Sequence, residues 1–269
     1  MIGSRGAVDI GEKTGLSGVL LRPVRGTNAF EATVEQLATA IGLGVFSDGD
    51  RLPPERELAG AMKVSRATLR EAIAALRQAG LVSTRSGRGG GTVVMQSHPG
   101  ADADDELARR TQARALVAAD RDRYRDALVA RRIVEPGAAF VAANIDLTRD
   151  QRDWLRAALH TVATADNSLL HRQADSRLHL AVATLSGSPT LLGLVADLQR
   201  DLHQMLTAIP VLAVNIAHSN DDHEAIVDAV LAGAPERARR VMESHCDASA
   251  ALLRGLLGMP DMSRRNGNL

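Results

Sequence analysis

The sequence predicts a mostly α-helical protein in two parts: a small N-terminal domain of three helices with a β-hairpin, then a larger all-helical bundle. Three observations carry this. Between Phe30 and Gly80 apolar residues recur at helical spacing, and the segments end at a basic, glycine-rich run, GRGGG. After Val94 the stretch MQSHPGADADDE mixes proline, glycine and acids and reads as the start of a linker. From about Asp105 to Met259 alanine, leucine, arginine and acids keep a helical period, with no convincing two-residue alternation. The expected division is a flexible tail at 1–27, a first domain at 28–97, a linker at 98–104, a second domain at 105–258 and a tail at 259–269.

The first helix follows from Phe30, Val34, Leu37, Ala38 and Ile41, which share one face, and SDGD at 47–50 is a turn. Pro54 suits the opening position of the second helix, where a missing N–H costs nothing, and Leu58, Ala59 and Met62 form its apolar side. That helix should stop near Lys63. Val64 turns the chain inward, and Ser65 can cap a third helix with the stripe Leu69, Ala72, Ile73 and Leu76 and a C-cap at Gly80. Two short helices joined by a turn and followed by a hairpin make the layout of a winged helix-turn-helix.

The opposite face of the third helix carries Arg66, Ala67 and Arg70. With only small neighbours, these guanidinium groups can reach a major-groove floor, where arginine's planar fork donates two hydrogen bonds to one guanine. From Arg51 to Gly91 eight basic residues stand against three acids, a net +5 in a chain whose total charge is zero. A local positive field in a neutral protein is the footprint of a nucleic-acid-binding module.

In the C-terminal half, helices are expected near 105–119, 122–144, 148–165, 168–186, 188–209, 212–233 and 235–257, with Pro189 and Pro235 in first turns. Several polar residues fall on the apolar faces. Asp175 shares a stripe with Leu178, His179 and Val182; His223 with Ile226, Val227 and Val230; His245 with Ala238, Val241, Met242 and Leu252. A single histidine so placed is more often a hydrogen-bonded core residue. One carboxylate and three imidazoles on three helices must all find partners, and a divalent metal satisfies them together. Arg131 is spaced to pair with Glu135 one turn on. His171 is either a supporting partner of Asp175 or an exposed helix-end residue, His98, His160 and His218 read as surface or loop residues, and His203 is undecided.

LPPERELA, then VSRATLREAIAALRQAGLV and a glycine-rich wing, resembles the N-terminal domain of GntR-family bacterial transcription regulators. The resemblance implies DNA contacts by Arg56, Arg66 and Arg70, phosphate contacts by Ser65 and Thr68 beside Ala67, and a minor-groove approach by Gly87 at the wing tip. The wing is richer in glycine than usual for the family, which bears on how rigidly Arg85 and Arg88 are presented. Asp175-x3-His179 followed by His223 and His245, with ARRIVEPGAAFVAAN upstream, is similar to the FCD ligand-binding domain of the FadR subfamily. It implies Asp175, His179, His223 and His245 as ligands of a divalent metal, zinc first, with nickel or manganese as alternatives. It also implies a small carboxylate effector for which Arg131 is the candidate partner. Leu178 stands where the family often has phenylalanine, which points to an altered pocket wall.

The function expected is a ligand-responsive transcription regulator, a repressor of a catabolic operon, acting as a homodimer on palindromic duplex DNA. A single reading head covers too few base pairs for useful specificity, and a two-fold dimer doubles the contacts. The rivals are a metal-dependent hydrolase, disfavoured by the lack of HExxH or a nucleophile elbow, and a dimeric DNA-binding protein with no sensing role. At 269 residues the chain can hold two ordinary cores, and 45% hydrophobic with 24% charged residues argues against disorder. No apolar run approaches the roughly 18 residues of a membrane span. A lone cysteine, Cys246, excludes an internal disulfide framework and suits a reducing compartment. GLSGVLL is too short for a secretory signal, so the expectation is a cytoplasmic protein that is not an enzyme.

Overall fold

The computed structural model describes residues 21, 23–24, 29–85, 91–95, 103–210 and 213–259. In chain order these form α1 (Ala29–Gly42), α2 (Glu55–Met62), α3 (Arg66–Gln78), β1 (Val82–Arg85), β2 (Gly91–Val94), α4 (Ala103–Ala119), α5 (Arg121–Ala143), α6 (Arg149–Ala163), α7 (Ser168–Leu185), α8 (Pro189–Thr207), α9 (Ala213–Leu231) and α10 (Pro235–Leu257). The fold is mostly α, as the spacing predicts, with one two-stranded sheet among the described residues.

The small domain is held by Leu37, Ile41, Leu58, Met62, Leu69, Ile73, Leu76, Val82 and Val94, which α1, α2, α3 and the hairpin bury together. α2 begins at Glu55, one residue later than the sequence suggests: Pro54 precedes it with an extended ψ of 139°, and its carbonyl accepts from the Glu57 and Leu58 N–H groups. It ends where Lys63 takes a left-handed φ of 52° and its N–H reaches back to the Gly60 carbonyl. Ser65 then caps α3, its Oγ accepting from the Thr68 N–H at 3.0 Å. Gly80 leaves that helix with a φ of +74°, a region open to glycine at little cost. β1 and β2 pair antiparallel from Val82 opposite Val94 to Arg85 opposite Gly91. The chain before α2 joins them: Gly49 and Leu52 donate to the carbonyls of Val94 and Thr92, and the hairpin is thereby fixed beside α2. Leu21 and Val24, in the stretch expected to be tail, pack on this core, and the Val24 N–H donates to the Met62 carbonyl.

In the bundle, side-chain caps start α5, α6, α7 and α8 at Asp120, Thr148, Asn167 and Ser188. Pro189 opens α8 and Pro235 opens α10, as expected. α10 packs along α5 and α9, while α7 lies against α6, α8 and α5. One core joins Ala139, Leu155, Leu178, Val182, Val227, Val230 and Met242; another joins Tyr124, Leu202, Met205, Leu253 and Leu257 and buries Met259. Leu43, just after α1, is buried against Leu180, Leu192 and Val195, so the small domain is seated directly on α7 and α8. No helix among the described residues is long and apolar enough to cross a membrane.

Candidate functional site

Three helices bring His179, His223 and His245 together inside the bundle. α7 supplies His179, α9 His223 and α10 His245; all three are buried, and their ring centroids lie 4.8 to 5.4 Å apart. One nitrogen from each falls within 4.8 Å of the other two. Asp175, one turn before His179 on α7, joins this group through His223, whose Nε2 lies 3.2 Å from its Oδ1. Burial would raise the Asp175 pKa, but the hydrogen bond and charge of His223, then the charges of His179 and His245, hold its carboxyl well below the usual range. Of the four residues that the stripes singled out, the three imidazoles thus lie together and Asp175 meets one of them, His223.

A second buried group, which sequence reasoning reached only in part, stands behind the imidazoles. Arg131 pairs with Glu135 at 3.0 Å as the spacing suggests, but the pair is 2% and 1% exposed rather than solvated. The same Glu135 oxygen accepts from Gln199 Nε2 at 2.7 Å, and the other lies 2.7 Å from His179 Nδ1, close but not aligned as a hydrogen bond. Burial opposes the charge of both partners of the pair. The charges of Glu135 and Asp175 outweigh it at Arg131, keeping the guanidinium protonated, and Arg131 outweighs it at Glu135, keeping the carboxylate ionised. Arg131 also donates from its NH1 to Ser249 Oγ at 2.5 Å. Glu135 and Gln199 were not expected at the site; the available signal was an acid one turn from Arg131 on a face that otherwise carries Tyr124, Leu128 and alanines.

Beside the imidazoles a cavity of about 360 Å³ opens, lined by Arg131, Asp175 and His245 and by Asp222, whose Oδ2 lies 3.4 Å from His245 Nδ1. Burial, with help from His223 and His179, pushes the His245 pKa down to about 4 despite the Asp222 contact. His171, partly buried, lines the cavity, and its Nε2 lies 3.4 Å from Asn220 Oδ1. His218 also lines it, while exposed, and His160 is on the surface. Leu178 belongs to the core and not to the cavity lining, so its substitution for a larger residue does not reshape this wall.

The donor set fits a divalent metal. His179 Nε2 and His223 Nδ1 are buried with no hydrogen-bond partner, which is costly unless something else accepts their lone pairs. Of the two carboxylates beside these imidazoles, Asp222 meets His245 Nδ1 and can orient its ring as an outer partner does around a metal, whereas Glu135 stands 2.7 Å from His179 Nδ1 without hydrogen-bond alignment.

On the small domain Arg56, Ser65, Arg66, Ala67 and Arg70 are exposed, and Thr68 is partly so. Arg70 Nε is held by Glu55 Oε2 at 2.8 Å, an exposed pair linking α3 to the start of α2. Arg85 is exposed at the end of β1; Gly87 and Arg88, like His98, lie outside the described residues.

Two family models match: the gntR family of bacterial regulatory proteins over residues 30–94, and the FCD domain over 126–248. A protein of Mycobacterium gastri described as the putative HTH-type transcriptional regulator RmpR is 32% identical over 223 residues, 80% of this chain and 76% of that one. The chain belongs to the GntR family. Its FCD domain places it in the FadR-like subfamily, and it is a DNA-binding transcription regulator, not an enzyme. A putative L-lactate dehydrogenase operon regulatory protein of Escherichia coli is also 32% identical, over 201 residues covering 73% of this chain and 75% of that one. The transcriptional repressor NanR of Escherichia coli is 27% identical over 252 residues, 86% of each chain. Within this family the helix-turn-helix implies DNA as a partner, and the FCD domain implies a small-molecule effector.

Proposed function

We propose that this GntR regulator is a cytoplasmic repressor of a catabolic operon that senses a small carboxylate at a metal-assisted site. It acts as a homodimer on a palindromic operator. Arg56, Arg66 and Arg70 would read or hold the duplex, with Ser65, Ala67 and Thr68 at the phosphates and Gly87 at the wing tip. The DNA-reading domain would take in Leu21 and Val24 with residues 29–95, and the sensing and dimerising domain would run from α4 at Ala103 to Met259, each a little wider than the expected 28–97 and 105–258.

The observation that carries the sensing half is the convergence of three buried imidazoles, one of which, His245, lines a cavity that Arg131 and Asp175 also line. Asp175, His179, His223 and His245 would hold the metal, zinc or else nickel or manganese. Bound there, the ion would supply a positive Lewis-acidic pole for a carboxylate oxygen. Arg131, kept charged by Glu135, would take the other oxygen, since its fork matches a carboxylate's geometry. The alternative, imidazoles serving only as core hydrogen-bond partners, suits them less well, because His179 Nε2 and His223 Nδ1 have none.

Elemental analysis of protein purified without chelator, then after zinc addition, tests the reading. About one metal per chain is expected, falling sharply in His223→Ala and His245→Ala while helix content persists. Wild-type protein that takes up no zinc would remove the metal from the proposal.

A further inference from the structure

Outside the proposed metal ligands and Arg131, the cavity lining also holds His171 and Arg172 from α7 and His218 and Ser219 from α9. Two contacts between these helices fix where they stand. Asp175 meets His223 at 3.2 Å, and one turn earlier on both helices His171 Nε2 lies 3.4 Å from Asn220 Oδ1. α7 and α9 therefore run in the same direction here, and the four residues form a layer roughly 5 to 7 Å along the helix axes from Asp175 and His223. The cavity spans both layers, since Asp175 and His245 line it too.

Arg172 carries the fixed charge of that second layer. It is 9% exposed, and Arg131 is 2% exposed. Arg131 stands with the imidazoles instead, since Glu135, its partner, lies 2.7 Å from His179. One cavity is thus lined by two buried guanidinium groups from different helices. Each offers a planar fork that donates two parallel hydrogen bonds to a carboxylate or phosphoryl group.

We infer that the effector carries two anionic groups, the second received by Arg172 with His171 and Ser219 beside it. The inference rests on the carboxylate site proposed above, which takes the first group, and adds a specificity-determining residue to it. With carbon–carbon bonds of about 1.5 Å, a backbone of roughly four to six carbons sets two terminal acid groups one helical turn apart. At about 30 Å³ per water-sized group, 360 Å³ holds on the order of a dozen non-hydrogen atoms, enough for such a diacid. A monoacid of equal length would set a methyl group against the Arg172 guanidinium in place of water, an unfavourable exchange.

The test is calorimetric titration of full-length protein, loaded with zinc and freed of unbound metal. Succinate, glutarate and adipate are each compared with the monoacid of the same carbon number, and 3-phosphonopropionate with butyrate. At least one dianion should bind about tenfold or more tightly than its monoacid, as hydrogen bonds to a charged group contribute. Whether a diacid or the phosphonate shows the larger ratio tells a carboxylate from a phosphoryl as the second group. Arg172→Gln should bring the ratio close to one in protein that still holds zinc. Arg172→Lys, which keeps the charge but not the fork, should lower it less, and replaces the glutamine variant if that one does not fold. Wild-type ratios near one, or a ratio undiminished by the substitution, would overturn the inference and leave the carboxylate site standing. Binding of none of these acids, in protein shown to hold zinc, would remove the carboxylate site as well.

Discussion

Arg177 NH1 donates to Ser47 Oγ at 2.8 Å, tying α7 to the turn that precedes the second helix of the DNA-reading domain. One turn of α7 thus faces two ways. Asp175 and His179 point at the imidazole cluster, while Gln173 and Arg177 meet the small domain. Gly44 lies so close to Gln173 that an added Cβ would come within 2.9 Å of the Gln173 Cβ, at a φ of +71° that glycine tolerates best. Ser47 in turn donates its N–H to Asp50 Oδ2, and the Asp50 carbonyl accepts from Val94 in the wing. A shift of α7 on ligand binding would therefore reach the wing through direct contacts as well as through the chain between β2 and α4. Arg177→Ala should keep zinc content and ligand affinity but shrink, several-fold, the ratio of operator affinities with and without ligand. Fluorescence anisotropy on a selected operator duplex measures that ratio, and an unchanged ratio would leave the linker as the sole route.

Glu135 is the residue on which the buried charges of the bundle depend. Its carboxylate faces Arg131, Gln199 and His179 at once. Glu135→Ala leaves a buried guanidinium without its counter-charge, and breaking a buried pair from one side costs about 3 to 5 kcal/mol. Urea unfolding in the presence of a chelator, which keeps metal out of the comparison, should register a loss of that size. Glu135→Gln, which retains acceptors but not charge, should lose less. A change under 1 kcal/mol for the alanine variant would mean that Arg131 is solvated after all.

These two relationships mark where the sequence was legible. Helix positions came through because alanine, leucine and charged residues recur at a helical period, and because Ser65, Pro189 and Pro235 punctuate it. The Asp175, His179, His223 and His245 group could be read because each sits on an otherwise apolar stripe. Gln199 could not: a glutamine on α8 gives no sign of burial until Glu135 is placed opposite it. Nor could the Arg177–Ser47 contact, which joins residues 130 apart through the seating of one domain on the other. The seating depends on Leu43, which lies just past α1 and off its apolar stripe.

On the DNA-reading face, Ser65 and Arg66 should separate stability from recognition. Ser65→Ala removes the oxygen that accepts the Thr68 N–H and should cost about 1 kcal/mol of stability by thermal or urea unfolding. Arg66 is exposed, so Arg66→Ala should leave stability almost unchanged while costing roughly 1 to 3 kcal/mol of operator affinity and relaxing base preference. A salt-controlled shift assay in which Arg66→Ala binds operator as wild type does would reject the assignment of α3 as the reading helix.

Glu55 holds Arg70 in the free protein, with both side chains substantially exposed. Such surface pairs contribute about 0 to 1 kcal/mol, so Arg70 can leave Glu55 for a DNA phosphate or base at little cost. Glu55→Gln should tighten binding to non-specific duplex modestly, by removing an acid from the approach face, with unchanged stability. Weaker binding would instead mean that Glu55 is needed to aim Arg70.

His203 supplies a pH dependence that can be followed with metal removed. It is half-buried on α8, and burial, assisted by the charge of Arg172, pushes its pKa down to about 4 from an ordinary 6.5. Its Nδ1 is buried without a hydrogen-bond partner. The fold therefore keeps the ring neutral where the unfolded chain would protonate it. Between pH 6.5 and 4 the unfolded state binds the extra proton, so stability is complete above about 6.5, falls as the pH drops toward 4, and is flat below that. At pH 5 the loss amounts to about 2 kcal/mol for a fully enclosed ring and less for this partly exposed one. His203→Gln has no proton to take up, so its stability should fall less than that of wild type between pH 7.5 and 5. Urea unfolding of both proteins with chelator present gives the difference, and parallel pH profiles would show that His203 titrates normally in the fold.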